Sequence, residues 1–227
     1  MNNFFSILTG FSVIIWTLLR INYIYWSGFL ADILEIDQLG KRNGLPDSLR
    51  ELLKKYPRDT WEEDVLNGNW VGYWLGRHSV FKEISFAINQ SLHNILDNKI
   101  STDKFLSDYI QLMNLMLKNL NSHHTVEDNY IFPKFSQKIE KFSYGLDLLE
   151  NDHHLIHSSI DNVVVEGNSL IKTINDNKVF DIKKVVGSYK TVNDTFEKLL
   201  MAHLNDEEDL LIPLVVKYGE KYFDLGH

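Results

Sequence analysis

His123-His124-Thr125-Val126-Glu127-Asp128-Asn129-Tyr130-Ile131-Phe132-Pro133 returns eighty residues later as His203-Leu204-Asn205-Asp206-Glu207-Glu208-Asp209-Leu210-Leu211-Ile212-Pro213. Each copy is a histidine, three residues, an acidic pair, three residues, a bulky apolar residue and proline. An α-helix turns about 100° per residue, so a histidine and a glutamate four apart stand one above the other on one face. Two helices that each present one imidazole and one carboxylate inward can hold metal between them.

The flanking sequence supplies the helices. Four segments keep the three-and-four apolar spacing of a single buried face. The first runs over 69–97 with Val71, Trp74, His78, Phe81, Ile84 and Ile88 in phase. The second starts near Ser101 and is expected to stop at Pro133, with Met113, Met116, Leu120, His123, Glu127 and Ile131 in its stripe. The third covers 144–174, with Leu149, His153, His157 and Ile160. The fourth starts near Asp181, with Phe196, Leu199, His203, Glu207 and Leu210. Four helices of this length joined by short loops predict an all-α fold, an up-down-up-down four-helix bundle over residues 69–220. Met113 and Met116 read as core filler.

The phase carries the chemistry. On all four helices the histidines and glutamates lie within the apolar stripe, so folding drives them inside. An ionised carboxylate in an apolar core costs several kcal/mol unless it is paired or metal-bound. His78, His123, His153, His157 and His203, with Glu127 and a carboxylate from the Glu207-Glu208 pair, are too many ligands for one closed zinc site. They suit two metals bridged by carboxylates, with one position left open. Helical spacing favours Glu207, about 40° from His203, over Glu208, about 140° away. His124, His154 and Asp128 each sit beside an in-phase residue and turn about 100° off it, which assigns them to a helix flank or to supporting contacts. Asp152 is a candidate acceptor for a ligand imidazole, and His93 falls outside the frame.

Composition removes alternatives. The 227 residues contain no cysteine, which excludes disulfides, thiolate zinc sites, iron–sulfur clusters and a cysteine nucleophile. A net charge of −8 and the lack of any basic block argue against a nucleic-acid surface. No nucleotide loop or nucleophile triad occurs.

Residues 69–218 resemble the hemerythrin family of His-His-Glu cation-binding bundles. The resemblance rests on His78 in Trp-Leu-Gly-Arg-His-Ser-Val-Phe, the His123/Glu127 pair, Asp152-His153 with His157, and His203 with Glu207-Glu208. It implies two non-haem irons, one held by His153, His157 and His203 and the other by His78 and His123 with an open position. Glu127 and either Glu207 or Glu208 would bridge them. Some family members place this carboxylate five residues after the histidine, which favours Glu208, so both glutamates stay candidates. The implied function is reversible binding of a small gas ligand, O₂ or NO, by a carrier, store or sensor. Five neutral imidazoles against two carboxylates leave the pair less electron-rich than a carboxylate-dominated site, which favours reversible binding over O–O cleavage. The alternatives are a di-iron oxidase, peroxidase or nitric-oxide-consuming enzyme, and an iron-handling protein.

Ahead of the bundle, residues 1–19 carry no charged side chain and residues 4–19 are apolar on every side, as in a buried or membrane-inserted helix. Arg20 interrupts, and Tyr23, Tyr25 and Trp26 follow as interface aromatics. The expectation is an N-terminal apolar helix within 1–34 that anchors the chain through residues 4–30. Arg20, Lys41 and Arg42 all follow the run and place the bundle on the cytoplasmic side; a soluble cytoplasmic protein is the alternative. Full-length protein is then expected to pellet with membranes and resist carbonate extraction, and recovery wholly in the soluble fraction would refute the anchor. Residues 35–68 read as a linker and short helices, one over 47–56 capped by Asp47 or Ser48 and another opened by Thr60, with no chemistry of their own.

Overall fold

Apolar three-and-four spacing becomes helix in every long segment that carries it. The computed structural model describes residues 37–61, 63–66, 69–176 and 182–226. Its helices are α1 (Glu51–Lys55), α2 (Glu63–Leu66), α3 (Asn69–Leu96), α4 (Thr102–Val126), α5 (Phe132–Lys138), α6 (Ser143–Asn175) and α7 (Ile182–Tyr218). A π-helical turn at Glu127–Ile131 joins α4 to α5, and 3-10 turns lie at Arg58–Thr60, Glu140–Phe142 and Glu220–Phe223. Among the described residues there is no strand, and no helix is long and apolar enough to cross a membrane. The apolar helix expected within 1–34 lies outside the described residues.

Sequence punctuation works where backbone chemistry demands it. Ser101 caps α4 by accepting from Lys104 N, and Asn98 takes the left-handed conformation (φ 57°) in the turn before it. Proline misleads at the other end of that helix. Pro133 does not stop it; the chain continues helically to Lys138. The π turn widens the backbone register by one residue, its Phe132 N–H reaching back to Glu127 O, and Pro133 falls in the first turn of α5. Pro213 likewise lies inside α7, which runs on to Tyr218.

The four long helices pack in a ring: α3 on α4, α4 on α6, α6 on α7 and α7 back on α3. His78 and His153 lie early in α3 and α6, whereas His123 and His203 lie late in α4 and α7. Because these residues meet, successive helices run in opposite directions. Two hydrophobic clusters divide the interior. One holds Phe81, Met113, Met116, Leu120, Ile156 and Leu204; the other holds Trp74, Ile131, Phe132, Leu149, Leu210 and Phe223. The in-phase polar residues occupy the layer between them.

The segment ahead of the bundle is packed rather than a free linker. Leu45, Leu49 and Leu52 enter the second cluster, each contributing roughly 1.5–3 kcal/mol of burial. Gly40 (φ +87°) and Gly44 (φ +75°) turn the chain where a side chain would be strained. The cap expected from Asp47 or Ser48 does not form, since α1 begins at Glu51 without a side-chain cap; Thr60 Oγ1 donates to the Pro57 carbonyl.

Candidate metal centre

Four-residue spacing puts His123 Nε2 3.1 Å from Glu127 Oε1 and His203 Nε2 3.4 Å from Glu207 Oε2. Across the bundle His78 Nε2 is also 3.4 Å from Glu207 Oε2. His78, His123, Glu127 and Glu207 thus form one group whose donor atoms all lie within 4.8 Å of one another. His124, His153 and His203 form a second such group, with His153 Nε2 3.0 Å from His203 Nε2. The groups adjoin through the carboxylates, since His153 Nε2 stands 3.8 Å from Glu127 Oε2. All seven side chains are buried.

Their electrostatics are those of a site built for a cation. His78 Nε2, His123 Nε2, both ring nitrogens of His124, Glu127 Oε2 and both oxygens of Glu207 make no hydrogen bond. Each buried, unsatisfied polar atom costs about 1–3 kcal/mol. Burial pushes the Glu127 carboxyl up to about 8 and raises Glu207 well above the carboxylate range, with the Glu127 charge adding to it. Burial also lowers the imidazoles, His78 to about 4 against the pull of Glu208 and His123 to about 2. His124 and His153 are driven well down by the same cause. Burial thus favours the neutral form of these four imidazoles, with lone pairs available to a metal.

A layer of acids holds the outer ring nitrogens. His78 Nδ1 lies 3.1 Å from Glu208 Oε1, His153 Nδ1 2.6 Å from Asp128 Oδ1, and His203 Nδ1 3.4 Å from Asp152 Oδ2. A carboxylate accepts only, so it keeps the proton on Nδ1 and turns the Nε2 lone pair toward the centre. Trp74 Nε1 donates to Glu127 Oε1 at 2.6 Å. Glu208 accepts from Lys82 Nζ at 2.8 Å and Arg58 Nη1 at 2.7 Å. Glu207 thus reaches a histidine of each group, His78 and His203, and Glu208 sits on the outer side of His78.

Several residues differ from their expected places. His124 is buried, not on the helix flank, and stacks on His153 with ring centroids 3.9 Å apart. The cause is topological: α4 contacts both α3 and α6, so the 100° step from His123 to His124 turns from one neighbour to the other. His157 is half-buried, packs edge-on against His124 at 5.3 Å, and belongs to neither group. His154 and His93 are exposed. Asp152 is fully buried.

Arg42 was invisible to helical spacing. Its Nη1 donates to Asp152 Oδ1 at 2.8 Å and its Nη2 to Asp152 Oδ2, while Nε and Nη2 donate to Asp206 Oδ2 at 3.0 and 2.8 Å. One signal does exist in the sequence. Asp206-Glu207-Glu208-Asp209 places four acids in succession on a helix, and they point all round it, so the inward ones require cations from elsewhere. Arg42 meets Asp206; Arg58 meets Glu208 and Asp209.

The family described as hemerythrin HHE cation binding domain matches residues 71–215, which carry all seven clustered donors. The chain belongs to the hemerythrin family. Comparison with curated proteins and with solved structures gives no match. Arg42 and Arg58 precede the matched region, so this hemerythrin domain is supported by cations from a segment outside it. The donor set fits divalent metal: neutral imidazoles, two carboxylates, and unpartnered atoms converging on one buried layer.

Proposed function

We propose that the chain holds two irons and binds O₂, or NO, reversibly as a carrier, store or sensor. The observation that carries this reading is the pair of adjoining donor groups, with Glu127 and Glu207 of the first reaching His153 and His203 of the second. His78 and His123 would hold one iron and His153 and His203 the other, with Glu127 and Glu207 as the carboxylate ligands. A pair of ferrous ions held there would supply the electrons that reversible gas binding needs. The surrounding residues favour release over reaction. Phe81, its ring 5.1 Å from that of His123, and the fully buried Leu120 exclude water beside His123. The Trp74 N–H is engaged by Glu127, so it is not offered to a ligand.

The enzyme reading, a di-iron oxidase, peroxidase or nitric-oxide-consuming site, has one observation behind it. Partly exposed Lys82 and Arg58 both reach Glu208, which touches His78 Nδ1, giving a hydrogen-bonded line from the surface to that nitrogen. The two readings separate in solution. Iron content should approach two per chain, and the anaerobic ferrous protein should gain a visible absorption on O₂ addition that fades when O₂ is withdrawn. Sustained oxidation of added reductants at about 1 s⁻¹ or more would make it an enzyme. A single tightly held zinc with no iron uptake would overturn both.

A further inference from the structure

We infer that His124, not His157, is the third imidazole of the metal site formed by His153 and His203. The inference rests on the two-metal reading and changes which residues serve it. His124 is 1% exposed, and both of its ring nitrogens lack a hydrogen-bond partner. An imidazole buried for packing alone would find an acceptor for its N–H, and a leucine or phenylalanine there would cost less. A metal-binding imidazole must instead keep a nitrogen unprotonated and unshared.

The geometry gives that nitrogen a destination. His124, His153 and His203 each offer a donor atom within 4.8 Å of the others. The His124 ring lies nearly parallel to His153, with 11° between planes, and stands edge-on to His203 at 5.5 Å. Its own helix position explains the reach, because α4 faces α6 through His124 as it faces α3 through His123. His157 lies on the far side of no such convergence: its half-buried ring rests edge-on against His124 and joins neither donor group. Helix α4 then supplies both metals, one from each of two consecutive histidines.

Iron content and thermal stability of the full chain test this together. His124→Leu should fall from about two irons per chain to about one. In the metal-free state the same variant should melt higher than the parent, because two unsatisfied nitrogens have gone. His157→Leu should retain about two irons and show neither effect. If the leucine variant does not fold, His124→Phe keeps the stack on His153 and carries the same two readouts. Loss of one iron from His157→Leu, with two kept by the His124 variant, would overturn the inference and return His157 to the site. A parent protein that binds no iron would instead remove the two-metal reading itself.

Discussion

Arg42→Leu is expected to destabilise the protein by about 3–5 kcal/mol, the usual cost of stripping one partner from a buried ion pair. The Arg42 side chain is 5% exposed, and its partners Asp152 and Asp206 are 0% and 3% exposed. Without the guanidinium both carboxylates stay buried with no cation, and Asp206, already raised by burial, loses the charge that opposes the rise. For a chain of this size the loss corresponds to a melting shift of about 6–20 °C. Asp152→Asn and Asp206→Asn added to Arg42→Leu should recover part of it, since the penalty comes from unpaired charge. Lys141→Ala removes an exposed pair with Glu51 and should cost less than about 1 kcal/mol. A loss from Arg42→Leu no larger than that would show that the preceding segment does not support the site. Metal retention should weaken in parallel, because Asp152 lies against His203 Nδ1.

The second large effect is that of metal. A ligand that binds only the folded state at about a thousand times its dissociation constant adds about 4 kcal/mol, so metal loading should raise the melting temperature by about 8–16 °C. Its pH dependence has a definite sign. Glu127 is raised from 4.5 to about 8, and Glu207 is raised with it. Between those limits the folded, metal-free protein holds protons that the unfolded chain has released, so stability falls as pH rises. Asp128, raised to about 7, acts in the same direction. The imidazoles act oppositely: His78 and His123, lowered from 6.5 to about 4 and about 2, add stability as pH rises, but only up to about 6.5. From about 6.5 to about 8 the carboxyl groups alone remain, and the metal-free protein should lose stability across that window. Bound metal ionises the carboxylates and should abolish the decline. Calorimetry of both forms at pH 6.5 and 8 checks this; equal slopes would mean that Glu127 and Glu207 do not face the metal.

Local chain geometry accounts for most of the architecture. Helix phase depends only on residues three and four apart, so the stripes through His78, His123, Glu127, His153, His203 and Glu207 could be read before any contact was known, and each of these residues is buried in one layer. Three other features depend on what stands opposite a helix. Whether His124 faces solvent or a partner depends on α6 lying beside α4, and nothing within α4 encodes that neighbour. The places of Glu207 and Glu208 differ likewise: Glu207 joins the donor group of His78 and His123, whereas Glu208 pairs with Lys82 and Arg58 on the outer side of His78. Arg42 lies 164 residues from Asp206, in an irregular segment turned by two glycines, where no periodicity marks a buried side. Burial within an element repeats along the chain and is legible there; charge compensation between elements has no period, because it exists only once the chain has folded.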